Sequence, residues 1–308
     1  MSPILKTSKS GSRPAGRPPA AVEISTEGVL AAVRRGGPGS GQEHAYAFVA
    51  LPAGALVPGI GEPNLRAPEA IAAAIRSALG QVSPRSRAVT MVLPDSAVRV
   101  FVLDFDSLPA KTAEALSVLR FRLRKMIPFE VEHAGLSYQV LTQDRKECKV
   151  LAAVLPGPIL AEYEAAVRSA GYEPGAVLPA SLAALEAIDS IEAVLAANLS
   201  SMALTTSITN GHDLLLYRTL DLPEDPALRL SEVQSGIAVA AAYFEDKLGA
   251  KALELHYAGP YDAGNFARWL DDGELTVVDM APRPDAVTSA ALGPASIAGV
   301  AGALAGAG

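Results

Sequence analysis

This chain is poor in several residue types, and each shortage excludes something. Its 308 residues include one cysteine, Cys148. A lone cysteine cannot form an internal disulfide and points to a reducing compartment. No motif surrounds Cys148, so a buried structural thiol is expected there rather than a reactive one. Aromatic residues make up 5%, and Lys plus Arg number 26 against 33 Asp plus Glu, a net charge of −7. A general nucleic-acid binder would show a basic patch or domain, so that class is set aside. The four histidines, His44, His133, His212 and His256, fall in separate elements and give no metal-ligand spacing. Ser, His and Asp occur in no nucleophile-elbow context, which leaves a hydrolase triad without support.

Long hydrophobic runs are also scarce. The stretch "AALGPASIAGVAGALAGAG" (290–308) is apolar, but Pro294 breaks it. What remains is shorter than the roughly 20 residues of a membrane span. A terminal helix packed on a sheet is predicted, with any membrane contact peripheral. At the other end, "MSPILKTSKSGSRPAGRPPA" (1–20) lacks the apolar run of an export signal, so the chain is not expected to be exported. It carries Lys6, Lys9, Arg13 and Arg17 and no acid. Too little of it is apolar to fold alone, and a solvated tail is expected. Weak attraction to an anionic cytoplasmic leaflet is the sharper alternative.

Half of the residues are hydrophobic and 19% charged, as in a soluble, well-buried protein, and the length fits about two domains. Folding is predicted from Ala21. "AVEIS", "GVLAAVRR" and "HAYAFVALP" read as strands, with "GGPGSGQE" (36–43) as a hairpin turn. That glycine cluster lacks the Lys-Ser/Thr of a Walker loop and lies between strands. Pro68 suits a helix start, Ile71, Ile75 and Leu79 form its apolar stripe, and Gly80 is the expected stop. "AVTMVLP" (88–94) reads as a strand buried on both faces.

From 98 to 156 the pattern is strand, helix, strand, strand. Pro109 is the expected opening of that helix, with Leu116, Leu119, Leu123 and Met126 as its apolar face and Pro128 as its end. Arg120, Arg122, Arg124 and Lys125 crowd its C-terminal half. They suit the helix dipole, or else a partner or acidic lipid. The polar turn "TQDRKE" separates the last two strands. A helix then runs over about 158–170, followed by the strand "GAVLP" and the helix "ASLAALEAI". "NLSSMALTTSIT" and "DLLLYRTLDLP" make a hairpin around Asn210-Gly211. Ser231 and Gln234 read as a capping box for a helix buried through Val233, Ile237, Ala241, Phe244 and Leu248. Strand "ALELHYAGP", helix "AGNFARWLD" and strand "LTVVDMAP" follow. A hairpin followed by αβ elements thus occurs near the start and again after about residue 190, a coarse duplication.

The stretch "VLPDSAVRVFVLDFDSLPAKTAEALSVLRFRLRKMIPFEVEHAGLSYQVL" (92–141) resembles the type IV pilus assembly protein PilM and its relatives, including the cytoplasmic part of the secretion protein GspL. The features that carry this are "LPD" ending a strand, the strand closing on Leu108-Pro109, the helix ending at Ile127-Pro128-Phe129, the acids Glu130 and Glu132, and "LSYQVL". "LAAVLPGPILAEYEAAVRSAGYEPGAVLPASLAALEAI" (151–188) resembles the next family segment. The resemblance implies an α/β, actin-like (RNase H-like) two-domain fold with an inserted strand-helix-strand-strand module, as in FtsA. The division implied is a tail at 1–20, a first half at 21–96 and 157–190, the module at 97–156, and a second half at 191–308.

In that family three loops hold ATP with magnesium, and this chain departs from each. Asp-Ile-Gly stands here as Glu23-Ile24-Ser25, and the lysine expected near Ala31-Ala32 is missing. The second loop becomes Asn198-Leu199-Ser200, without a carboxylate. The paired glycines of the adenosine loop become Gly259-Pro260. A carboxylate in the first loop orients hydrated magnesium, and glycine lets backbone N–H groups approach phosphate. Losing these together predicts lost or weak ATP binding and no efficient phosphoryl transfer. For Glu23 the plain alternative is an exposed strand acid, and for Asn198 a turn former. Arg218 matches a family arginine, with surface pairing as the plain role and an ion pair across the cleft as the alternative. The resemblance implies an adaptor on the cytoplasmic side of the inner membrane. Its partner is the N-terminal tail of a PilN-like membrane protein, held between the first half and the module, alongside other pilus or secretion platform proteins. An active Mg-ATPase or sugar-kinase-like enzyme of the same fold, and a generic α/β domain, are the alternatives.

Overall fold

The computed structural model describes residues 16–35, 43–144 and 147–306, except 212, 261, 272, 283, 285 and 294. The expected tail up to residue 15, the glycine-rich turn up to 42, part of the "TQDRKE" turn, His212 and Pro294 lie outside these. The last residues of the expected tail belong to the folded body. Arg17 is buried, and its two terminal nitrogens grip both oxygens of Glu186 at 2.7 and 2.9 Å.

The first half opens with β1 (Ala20–Ile24), β2 (Gly28–Arg35) and β3 (Glu43–Ala50), an antiparallel meander. Helix α1 (Pro68–Val82) and strand β4 (Ala88–Leu93) follow. The helix does not stop at Gly80. Ile71, Ile75, Leu79 and Val82 keep one apolar face buried, and the turn at Ser83, with φ 52°, ends it. After β4 the chain makes one 3-10 turn, Asp95–Ala97, and enters the module.

The module holds β5 (Arg99–Phe105), α2 (Thr112–Leu123), β6 (Gly135–Gln143) and β7 (Cys148–Leu155). Its antiparallel sheet runs β5-β7-β6. Helix α2 begins at Thr112, not Pro109, because its packing stripe begins only at Ala115. That stripe continues through Leu119, Leu123 and Ile127 onto Val150, Ala152 and Val154, while Met126 faces solvent. Cys148 is fully buried in the same cluster, and desolvation raises its thiol pKa.

The chain returns through α3 (Gly157–Ser169), β8 (Glu173–Pro179) and α4 (Ala180–Leu185). The second half then comprises β9 (Ala193–Leu199), β10 (Ala203–Asn210), β11 (Asp213–Asp221), α5 (Pro226–Leu248), β12 (Glu254–Ala258), α6 (Ala263–Leu270), β13 (Thr276–Asp279), α7 (Ala286–Leu292) and α8 (Ala298–Ala305). Two differences from the sequence reading stand out. The run read as one strand, "NLSSMALTTSIT", is the end of β9, a tight turn and β10. Helix α5 starts five residues before Ser231, where the Asp225 carboxylate accepts from the N–H groups of Ala227 and Leu228 at 3.0 Å. An N-cap Asp before a Pro at the first helical position is a stronger start than the Ser231–Gln234 pair. Ala240 rather than Ala241 is fully buried, alongside Gly236.

Among the described residues the first sheet runs β3-β2-β1-β4-β8 and the second β11-β10-β9-β12-β13. In both, the first three strands are antiparallel and the last two join in parallel. The two halves are therefore one topology used twice, with the module inserted after β4 of the first. A continuous apolar cluster joins them, with Ala21, Leu30, Val92 and Ala183 on one side and Val194, Ala196 and Ala258 on the other. Helix α8 supplies Val300, Ala303 and Leu304 to it. No described helix is long and apolar enough to cross a membrane.

Candidate functional site: the cleft between the halves

In each half the turn after the first strand faces the same cleft. Its backbone is set by one serine. Ser25 N–H donates to Gly28 O at 2.9 Å, while its hydroxyl contacts Gly28 O at 3.1 Å and accepts from Gly28 N–H at 3.3 Å. Ser200 repeats this on Ala203, with its N–H 2.8 Å from Ala203 O and its hydroxyl accepting from Ala203 N–H at 3.0 Å. Both serines are thus consumed in holding their own turns. The two turn tips meet, with Thr26 Oγ1 and Ser201 Oγ 2.6 Å apart.

Glu23 on β1 and Asn198 on β9 occupy equivalent positions two residues before those serines. All five sequence-derived positions, Glu23, Ser25, Asn198, Ser200 and Gly259, line one cavity of about 80 Å³. Glu23 is half-buried, but its Oε2 is sealed from solvent without a hydrogen-bond partner, against Gly299 near the start of α8. Burial, with the nearby Asp95 and Glu27, raises its pKa to about 8. It is not an exposed strand acid. Asn198 is not a free turn former either, for its amide donates to Ser181 Oγ at 3.0 Å and to Asp95 Oδ2 at 3.5 Å. Ala31 and Ala32, near the expected lysine position, are fully buried.

Asp95 carries no signal in the sequence beyond ending "LPD". Asp95 is buried in the turn after β4. Its Oδ1 accepts from Ser181 N–H at 3.1 Å and Tyr217 O–H at 3.2 Å, and its Oδ2 from the Ser181 hydroxyl. Desolvation raises its pKa, against these donors, which lower it. The Tyr217 phenol is pushed well up, by burial first and then by the Asp95 charge. Arg218, beside it on β11, is exposed.

Beyond Gly259-Pro260 the cleft continues into a second cavity of about 240 Å³, walled by β12, β13, α6 and α7. Tyr257 fills the space next to Gly259 and stacks on Phe266, with ring centroids 3.9 Å apart. No Lys or Arg lines either cavity among the described residues. A magnesium-bound triphosphate needs backbone donors free at the turns, positive charge and open space between the turn tips. Among the described residues the two cavities bring no Lys or Arg to such a group, the N–H groups of Ser25, Gly28, Ser200 and Ala203 are spent inside their own turns, and the Thr26–Ser201 contact occupies the space between the tips, so the residues present do not fit a magnesium triphosphate.

Two halves of repeated topology around a cleft at their strand ends, with a module inserted in the first, make this an actin-like fold. Solved structures show the same architecture. The chain aligns with one from the PilM–PilN type IV pilus biogenesis complex at a TM-score of 0.72 and 21% identity, over 94% of this chain and 98% of that one. It aligns with the cytoplasmic domain of EpsL, an inner-membrane component of the type II secretion system of Vibrio cholerae, at 0.50 and 16%, over 89% and 92%. A Bacteroides thetaiotaomicron protein with an actin-like ATPase fold and unknown function aligns at 0.50 and 11%, over 89% and 94%. No family model and no curated protein matches the sequence.

Proposed function

We propose that this protein is a PilM-like adaptor of a type IV pilus or type II secretion platform, working at the cytoplasmic face of the inner membrane as a scaffold rather than an ATPase. It holds the N-terminal tail of a PilN-like membrane protein, and other platform proteins assemble around that pair. An extended tail lying between the first half and the module would gain backbone hydrogen bonds and side-chain pockets. The observation that carries the scaffold reading is the cleft itself, acid-lined and without a basic side chain among the described residues. The likeness over nearly the whole of both chains to a member of the PilM–PilN complex supports the choice of partner.

Titration calorimetry of the purified chain with a synthetic PilN-like tail peptide tests this. Saturable one-to-one binding without nucleotide is expected, and an absence of heat at millimolar peptide would reject the reading.

A further inference from the structure

The contacts that bind the two halves together lie where a cleft ligand would otherwise bridge them. Asp95 and Ser181 belong to the first half. Asn198 and Tyr217 stand on β9 and β11 of the second. The Asp95 carboxyl takes the Ser181 N–H, the Ser181 hydroxyl, the Tyr217 hydroxyl and the Asn198 amide. One first-half side chain therefore collects partners from two strands of the second half, β9 and β11. At the rim, Thr26 and Ser201 join the opposing turn tips at 2.6 Å.

We propose that the cleft is clasped by the chain's own side chains. Asp95 serves as an internal ligand, tying Ser181 to Asn198 and Tyr217, and the Thr26–Ser201 contact closes the rim. The halves then hold one closed arrangement with no nucleotide between them.

Three features converge on this. First, position 198 needs a donor. An aspartate there would face Asp95 with like charge and bring no N–H, whereas the asparagine amide bonds both Asp95 and Ser181. Second, separating the halves would strip a buried carboxyl and a buried phenol of partners that water cannot replace until the cleft floods. Third, Tyr217 has a second duty. Its ring packs with Leu151 of the module, Leu182 of α4 and Leu214 of β11. Arg99 of the module reaches Asp221 on the same strand at 3.4 Å. The clasp thus fixes the module as well as the halves, so the groove proposed for the partner tail is formed in advance. That consequence rests on the scaffold reading above, but the test below reads cleft opening without any partner, so the two can fail separately.

Hydrogen exchange by mass spectrometry on the full chain, with small-angle scattering alongside, decides the matter. The variants are Asp95→Asn, which keeps the shape but turns an amide N–H₂ toward donors, and Tyr217→Phe, which removes one hydroxyl and keeps the ring. In both, exchange should rise tenfold or more at 24–28 and at 198–203, on opposite sides of the cleft, with α1 and α2 unchanged and the radius of gyration increased. Should Asp95→Asn fail to fold, Tyr217→Phe carries the test. The proposal is overturned if exchange at both turns stays within twofold of wild type. A rise confined to 213–221 overturns it as well, because that would be local loss of packing.

Discussion

Glu23 and Asn198 stand at equivalent places in the two halves, yet their surroundings send them in opposite directions. Asn198 is saturated by Ser181 and Asp95, while Glu23 keeps a buried oxygen without a partner. With its pKa raised from 4.5 to about 8, Glu23 holds its proton in the folded chain long after the unfolded chain has released it. Its contribution to stability is therefore fully present below about 4.5 and is lost as pH rises through about 8. The slope reaches at most about 1.4 kcal/mol per pH unit. Glu23→Gln cannot titrate. Urea melts from pH 5 to 9 should show it gaining on wild type as pH rises, and parallel curves for the two proteins would contradict this. A second residue-scale prediction concerns Asn64, which is fully buried. Its amide nitrogen bonds the carbonyls of Gly59 and Glu62, both at 2.9 Å, and its oxygen accepts from Gly59 N–H at 3.1 Å and Tyr163 O–H at 3.0 Å. Asn64→Ala should cost about 2–4 kcal/mol in the same melts, since it removes these bonds and leaves a buried phenol unpaired.

At the scale of elements, the small residues of the C-terminal stretch have a specific use. Helix α8 crosses α4 so closely that a Cβ on Gly302 would overlap the Ala183 carbonyl. Overpacking of this kind forces backbone shifts, so Gly302→Ala should lower stability by about 1–3 kcal/mol. A melting temperature equal to wild type would show that the helices can separate freely. Helix α5 shows how a start is chosen. Asp225-Pro226 combines an oxygen acceptor with a residue that has no N–H to satisfy, and Asp225→Ala should cost about 1 kcal/mol. We propose residues 21–96 with 157–190, 97–156 and 191–308 as the first half, the module and the second half. Strand membership supports this division, with Arg17 and the start of β1 added to the first half.

For the molecule as a whole, the expected outcome is indifference to nucleotide. A ligand at a hundred times its Kd stabilises the folded state by roughly 2.7 kcal/mol. Melting curves of the full chain should instead superimpose across millimolar Mg-ATP. A clear upward shift that saturates with concentration would restore the ATP-binding alternative and require the turn tips to part.

Much of the architecture was legible in the sequence because its signals are local. The apolar runs of β1 and β2, the Asn210-Gly211 turn, Gly249 after α5 and the apolar period of α1 each act within a few residues, and they set the type and order of most elements. The repeated hairpin and αβ pattern even exposed the duplication, and family resemblance placed five positions that do share a cleft. What only the tertiary structure decided is how strands distant in sequence pair and what their ends bring together. Asp95 meets Ser181 across 86 positions and Tyr217 across 122. In sequence "LPD" shows only a strand ending in a turn. The carboxyl becomes a hub because parallel pairing sets the end of β4 against α4 and the second sheet. No local propensity encodes that arrangement, which arises when both halves bury their apolar faces against each other.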